Sequence, residues 1–288
     1  MINSSLISAT VSKSKSATRG SRAVAGVRRT LARLCLALAT LVAAAPAKAA
    51  ADPTLAELLD HVGRQVEHFW SYFPSVTCTE TVTQSKLGDK GKVLFVQHQA
   101  FDYLIALQSS GQDISVDESR LEKVSTHAKA KASLLETNGF GILSLLFHPL
   151  YQSRFQFRQL PDESVRDRRL LCIAFQQVSR DHPLSVLQLR ELEYPLQWRG
   201  KAWIDPETWA VVRIQAGLGD SMADVGLLRL DADVTYSDVR FNGSTAYWLP
   251  ASAIIDAETK RQHWHNTHMF TNYKRFAVDT DSKILSPQ

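Results

Sequence analysis

The sequence offers few side chains whose types and spacing suit chemistry, and the first candidates are two carboxylates. Asp205 and Glu207 lie two residues apart in the run W-I-D-P-E-T. A catalytic carboxylate usually needs burial or a charged neighbour to adjust its pKa. An Asp followed by Pro is instead typical of a tight turn, where Asp accepts a backbone N–H and Pro fixes φ. We predict that this pair forms a turn, with general acid–base catalysis as the minor alternative.

Three histidines near the C-terminus are the second group of candidates. His263 and His265 would share one face of an extended strand, and His268 follows them. Two imidazoles on one face are suitable metal ligands, but the sequence shows no evident third ligand. We therefore predict a polar outer strand and no metal, with a zinc or copper site as the minor alternative.

Motifs of several common enzyme classes are missing from the chain. No serine lies in a G-x-S-x-G turn, and the segment Gly139-Phe140-Gly141 lacks the preceding strand and third glycine of a dinucleotide-binding motif. The sequence therefore favours a protein that is not an enzyme and has no cofactor.

The first 50 residues carry eight Lys and Arg residues and no Asp or Glu, so the formal net charge of +4 falls to −4 without them. An acidic mature chain gives no electrostatic basis for binding nucleic acid. The basic start leads into an apolar run at residues 34–45 and then Ala47-Lys48-Ala49, which is the order of a secretory signal peptide. We predict that residues 1–49 are a signal peptide and that the protein is periplasmic or secreted. An uncleaved membrane anchor is the alternative.

The remaining chain, residues 50–288, reads as one helix followed by many strands. Thr54 and Glu57 have the spacing of a capping box, and apolar residues then recur every three or four positions up to Phe69. Later segments alternate or form hairpins, including W-I-D-P-E-T and the alternating run at 228–239. Because the strands follow one another without helical crossovers, we predict a single α+β domain with an antiparallel sheet.

Several motifs, taken in order, resemble a family of uncharacterised secreted proteins from Acidobacteria. They are T-C-T-E-T at 77–81, G-F-G-I-L at 139–143, the W-I-D-P-E-T hairpin with Arg213, W-L-P-A at 248–251 and F-T-N-Y-K-R-F at 270–276. The later half is also similar to the outer-membrane lipoprotein-sorting proteins. That resemblance implies a curved antiparallel half-barrel with helices on its concave face, here at 54–72 and 141–147. It also implies an apolar ligand and no catalytic residues.

The expected ligand site follows from the need to cover the inner face of such a sheet. The two helices are short relative to the strands between residues 76 and 276, so an apolar cavity remains if they cannot fill the inner face. We expect it to be lined by residues such as Phe155, Phe157, Trp203 and Trp248, and to hold a lipid or acyl chain. The alternative is an envelope module with a filled core that binds a protein partner, and a hydrolytic enzyme ranks third.

Two cysteines, Cys78 and Cys172, remain after removal of the leader, which contains Cys35. Both fall in predicted strands of an exported domain, where disulfides form and persist. We predict a disulfide between them, with two buried free thiols as the alternative.

Overall fold

The structure is a computed structural model that describes residues 52–73, 75–110, 113–123, 137, 139–179, 184–189, 192–241, 243 and 245–275. The predicted signal peptide, residues 1–49, lies outside these ranges and stays a prediction. Export and the periplasmic or secreted location depend on it.

The opening helix, α1, spans Leu55–Ser71 and begins at the predicted capping box. The Thr54 N–H donates to the Glu57 carboxylate over 2.8 Å, and the Glu57 N–H donates to the Thr54 hydroxyl over 3.4 Å. Leu58, Val62 and Val66 of the predicted apolar stripe are buried, whereas Phe69 is only partly buried, and its neighbour Trp70 is almost inaccessible to solvent. Among the helices that the structure describes, none is long and apolar enough to cross a membrane.

The rest of the fold is dominated by an antiparallel sheet of ten strands, which confirms the predicted sheet type. The strands are β1 (Val76–Leu87), β2 (Val93–Ser110), β3 (Asp113–Glu122), β4 (Phe155–Val165), β5 (Arg168–Gln177), β8 (Trp198–Ile204), β9 (Val211–Leu218), β10 (Leu227–Arg240), β11 (Ala246–Thr259) and β12 (His263–Arg275). Their spatial order is β3-β2-β1-β12-β11-β10-β9-β8-β5-β4, so the sheet is open, with β3 and β4 at its edges. A separate hairpin consists of β6 (Val186–Leu189) and β7 (Leu192–Pro195).

Two short helices follow β3 in the chain and pack near α1. They are a 3-10 helix at Ile142–Phe147 and α2 at Pro149–Gln152. Their buried side chains join those of α1 and one face of the sheet in a single large core, which we call the main core. Its bulkiest fully buried members include Trp70, Phe140 and Phe147. Packing of this kind is the principal driving force for the fold.

The predicted disulfide is wrong for this structure, because Cys78 and Cys172 are both free and buried. Cys78 belongs to the main core, whereas Cys172 belongs to a small cluster with Leu170 and Trp203 on the opposite face of the sheet. Five strands also separate β1 from β5 in the sheet. Cysteines must bring their Cα atoms within about 7 Å to form a disulfide, and this strand order keeps them apart.

Candidate functional site

An open groove lies on the face of the sheet that points away from the helices. Its volume is about 1310 Å³, and β4, β5 and β8–β11 line it. The strand register places the outward side chains in two rows. One row contains Gln156, Gln176, Arg199, Gly217, Asp231 and Asp256, and the other contains Arg158, Ala174, Lys201, Gln215, Asp233 and Ile254. We call this surface the sheet groove.

The alternation of side chains along each strand explains how charged and amide side chains come to line the sheet groove. Successive residues of a strand point to opposite faces, so one set enters the main core and the other faces solvent. In β10, Ala232 and Val234 are buried, whereas Asp231 is exposed and Asp233 is half-buried. This is the arrangement that the alternating run at 228–239 predicted.

The β10 side of the sheet groove has internally compensated charge. Asp233 accepts hydrogen bonds from Arg213 Nε at 2.7 Å and Gln215 Nε2 at 2.8 Å, while Arg229 Nε lies 3.1 Å from Asp231. Burial opposes ionisation of Asp233, but the hydrogen bonds from Arg213 and Gln215 prevail and lower its pKa. These acids are therefore already neutralised by the protein.

The opposite end of the sheet groove, on β4 and β8, is basic. Lys201 pairs with Glu163 and lies 4.4 Å from the centre of the Trp203 ring. Arg158 and Arg199 are exposed, and neither has an ion-pair partner among the residues that the structure describes. We call Arg158, Arg199 and Lys201 the basic end.

A second polar cluster lies inside the protein between β1, β3 and β12. Arg120 Nη2 donates to Glu80 Oε1 at 2.7 Å, and His268 Nδ1 lies 2.7 Å from the same oxygen. His268 Nε2 is 3.0 Å from the Thr137 hydroxyl, and Arg120 also donates to the Thr137 carbonyl. The Glu80 and His268 side chains are at most 1% exposed, so a substrate could not reach them without opening the fold.

Glu118 lies close to this cluster and holds the segment that precedes the 3-10 helix. Its carboxylate accepts the backbone N–H groups of residues 139–142 at 2.9–3.1 Å and the hydroxyl of Tyr103. Burial raises the pKa of Glu118, and these hydrogen bonds oppose the rise. The motif Gly139-Phe140-Gly141 is therefore a carboxylate-bound turn.

The arrangement of these buried groups is suited to holding the helices on the sheet. His268 packs against Phe140, with ring centres 4.8 Å apart, and Tyr236 donates to the Phe140 carbonyl at 2.8 Å. Sequence reasoning missed Glu80 and Glu118. The available signal was that Glu80 lies between Cys78 and Val82 at alternating positions, which are the inward positions of β1.

The four predicted ligand-contacting aromatics do not meet in one place. Phe155 and Phe157 have ring centres 6.0 Å apart, and Phe157 also packs against Phe147 on the main-core side. Trp203 faces the opposite side of the sheet, where its indole N–H donates to Glu163 at 2.8 Å. Trp248 is half-buried against the main core. The structure thus groups Phe155 with Phe157 and places Trp203 elsewhere.

The carboxylate pair in W-I-D-P-E-T has the predicted turn geometry. Asp205 Oδ1 accepts the N–H groups of Glu207 at 2.8 Å and Thr208 at 3.2 Å. Asp205 is buried and pairs with Arg168, while Trp209 has a φ of 58° and stacks on His61 of α1. The hairpin turn is therefore anchored to the opening helix.

The predicted strand of histidines is β12, but it is not an outer strand, because it lies between β1 and β11 in the sheet. Its histidines have two different environments. His263 and His265 share Asp256 as a neighbour, at 3.4 and 3.0 Å, whereas His268 faces the interior. Within the described ranges, no group of three His, Cys, Asp or Glu residues could hold a metal ion.

No known protein family and no curated protein matches the chain. Solved structures that it resembles include a DUF1329 family protein from Desulfovibrio piger, at 11% identity and a TM-score of 0.41, over 78% of this chain and 94% of that one. A LolA superfamily protein from Nitrosomonas europaea has 10% identity and a TM-score of 0.36, and the match covers 76% of this chain and 94% of that one. A putative outer membrane lipoprotein-sorting protein domain from Vibrio parahaemolyticus has 9% identity and a TM-score of 0.36, and the match covers 76% of this chain and 92% of that one. These structures include lipoprotein-sorting proteins, the class that the later half of the sequence also resembles.

Proposed function

We propose that this protein is an exported, non-catalytic binding protein of the cell envelope whose sheet groove holds an extended segment of a partner protein. The observation that carries the proposal is the open groove of about 1310 Å³ on the helix-free face, with two rows of mostly polar and charged side chains. A surface of this kind offers many hydrogen-bonding and charged contacts at regular spacing.

A protein segment fits this surface better than an acyl chain does. Small-molecule sites usually have volumes of about 300–1,000 Å³ and bury most of the ligand. The sheet groove is larger, open along one side and lined by side chains such as Arg199, Gln215 and Asp231. Mixed polar and apolar character is instead typical of surfaces where separately folded proteins meet.

The buried polar clusters support binding rather than catalysis. Glu80 and His268 contact each other, His268 also contacts Thr137, and Glu118 is surrounded by backbone donors. A catalytic acid or base must come within hydrogen-bonding distance of its substrate, which these buried groups cannot do in the folded protein.

A lipid or acyl chain held between the helices and a concave, half-barrel-like sheet is the second candidate function. Two buried indole N–H groups favour it, since Trp70 Nε1 and Trp198 Nε1 have no hydrogen-bond partner among the described residues. An unpaired buried donor costs about 1–3 kcal/mol, which a ligand oxygen would recover. Trp198 and Phe155 both belong to the main core, on the side where the helices pack.

Site-specific photocrosslinking distinguishes the two candidates. We would place a benzoyl-phenylalanine at Gln215 in the sheet groove. In a matched control it replaces Met269, which is exposed on β12, on the same face of the sheet but outside the groove. In cells of the native host, the variant at 215 should give a discrete crosslinked protein and the variant at 269 should not. Equal crosslinking at both positions, or none at either, would contradict the proposal.

Organic extraction of the purified protein tests the second candidate. A stoichiometric fatty acid or phospholipid in the extract, together with crosslinking that does not depend on the groove, would replace the partner-segment proposal with the lipid one.

A further inference from the structure

The charges that line the sheet groove differ in whether the protein itself neutralises them. At β9 and β10, Arg213 contacts Asp233, and Arg229 contacts Asp231. Arg229 also lies 3.9 Å from Asp256, so two arginines serve the three groove carboxylates of β10 and β11. At the basic end, Lys201 pairs with Glu163, whereas Arg158 and Arg199 have no acidic partner in the part of the chain that the structure describes. The exposed arginines without such a partner, Arg158 and Arg199, are confined to the opposite end.

The strand register brings the three side chains of the basic end around one small residue. Arg158 and Lys201 are the two cross-strand neighbours of Ala174, and Arg199 neighbours Gln176 on the same face. Two strand spacings separate the Cα atoms of Arg158 and Lys201 by roughly 9.5 Å. Flexible Lys and Arg side chains can span half of that distance, so all three can reach an anionic group placed above Ala174.

We infer that the partner segment bound in the sheet groove is acidic and that its carboxylates contact Arg158, Arg199 and Lys201; this inference rests on the proposed function. Arginine donates a fork of N–H groups that matches a carboxylate, and such charge-assisted pairs are among the stronger hydrogen bonds in proteins. Charge complementarity also speeds association and rejects partners of the wrong sign.

Fluorescence anisotropy with labelled peptides tests the inference. The probes are an eight-residue peptide that alternates Glu with Val and a matched peptide that alternates Lys with Val. The acidic peptide should bind the mature protein, and its affinity should fall as the salt concentration rises. The basic peptide should bind at least tenfold more weakly. Equal affinity for the two peptides would overturn the inference.

Paired substitutions locate the contact. The double variant Arg158→Gln, Arg199→Gln should weaken binding of the acidic peptide at least tenfold. The matched control is Lys260→Gln, Arg261→Gln, which removes the same charge from an exposed turn outside the groove and should leave affinity unchanged. Both variants should keep the unfolding midpoint of the parent protein. If neither variant loses affinity for the acidic peptide, or if both lose it equally, the peptide does not contact Arg158 and Arg199.

Two further outcomes distinguish failure of the acidic-segment inference from failure of the proposed function. If neither peptide binds while crosslinking at residue 215 persists, the groove binds a partner of other chemistry and the acidic-segment inference fails alone. If vesicles containing phosphatidylglycerol bind in the same arginine-dependent way and the acidic peptide does not, the basic end contacts an anionic membrane surface and the inference is wrong.

Discussion

Glu118 shows how one side chain connects a loop motif to the sheet. Four consecutive backbone N–H groups at 139–142 and the Tyr103 hydroxyl donate to its carboxylate. The segment at 139–142 contains two glycines and leads directly into the 3-10 helix. A loop of this composition has little structure of its own, so the carboxylate supplies the order that the sequence motif lacks.

We predict that Glu118→Gln lowers the free energy of unfolding by about 3 kcal/mol, because the amide NH₂ would face N–H donors inside the protein. Denaturant unfolding measures the change, and hydrogen exchange should show lost protection at Phe140 and Gly141. The control Glu67→Gln alters an exposed carboxylate on α1 and should have little effect. Equal stability of the two variants would show that Glu118 does not anchor the segment.

His268 gives the protein a defined response to acid. Burial lowers the pKa of His268, while its hydrogen bond to Glu80 opposes the shift and the charge of Arg120 adds to it. The neutral imidazole is thus favoured in the folded state relative to the unfolded chain. Stability from this group is present above the ordinary histidine pKa of about 6.5 and is lost as the pH falls below that value.

We therefore predict that the parent protein loses more stability between pH 7.5 and 5.5 than His268→Gln does, by at most about 1.4 kcal/mol per pH unit for one proton. Urea unfolding at several pH values measures the difference. His68→Gln, a change at an exposed position on α1, should follow the parent protein. A steeper loss in His268→Gln than in the parent would reverse the assigned sign.

Among the elements, the β8–β9 hairpin shows most directly how local sequence determines structure. Asp205 accepts two turn N–H groups and pairs with Arg168. We predict that Asp205→Ala destabilises the protein by about 2 kcal/mol, because two backbone donors lose their acceptor. Asp205→Asn keeps that acceptor and should cost less than half as much in thermal or denaturant unfolding. If both substitutions have the same effect, the charge on Asp205 matters more than the turn.

Strands β1 and β5 determine the state of the cysteines. Because Cys78 and Cys172 lie on opposite faces of the sheet, with five strands between β1 and β5, we predict two free thiols in the chain from residue 50 onwards. Burial raises the pKa of Cys78 to about 12, so its thiol should also be inert in the native protein. Thiol titration of the denatured, unreduced chain should detect both groups. Detection only after reduction would restore the disulfide.

The elements that could be predicted from sequence are those with local signals. The capping box marked α1, the Asp-Pro turn marked β8–β9, and alternation marked β10. The position of Trp203 could not be predicted, because the run Ala202-Trp203-Ile204 is apolar at every position. A strand of that kind gives no alternation, and a shift of one residue moves each side chain to the other face.

At the scale of the whole molecule, the order of the strands in the sheet could not be predicted from the sequence either. β12 lies between β1 and β11, so the last strand pairs with the first of the sheet. Such distant pairing depends on how complete faces fit together, and no local motif specifies it. The inward carboxylate of Glu80 was missed for a related reason, since its partner His268 comes from β12, far away in the chain. Glu118 was missed because its backbone partners lie in a loop 21–24 residues later.

The same strand order explains why the two faces of the molecule have different roles in our account. The helices, Glu118 and the bulky side chains of the main core occupy one face. The other face, from β4 to β11, carries the sheet groove and its basic end. A ligand was expected on the helix-covered face, whereas the proposed partner binds on the other one.

The most direct test of this account is a steric block of the sheet groove. With the photocrosslinker at Gln176, the additional substitution Gln215→Trp should reduce the crosslinked product at least tenfold, because both positions are exposed and line the groove. Met269→Trp, on the same face outside the groove, should leave the product unchanged, and both proteins should keep the parent unfolding midpoint. An undiminished product in a folded Gln215→Trp variant would show that the partner does not occupy the groove.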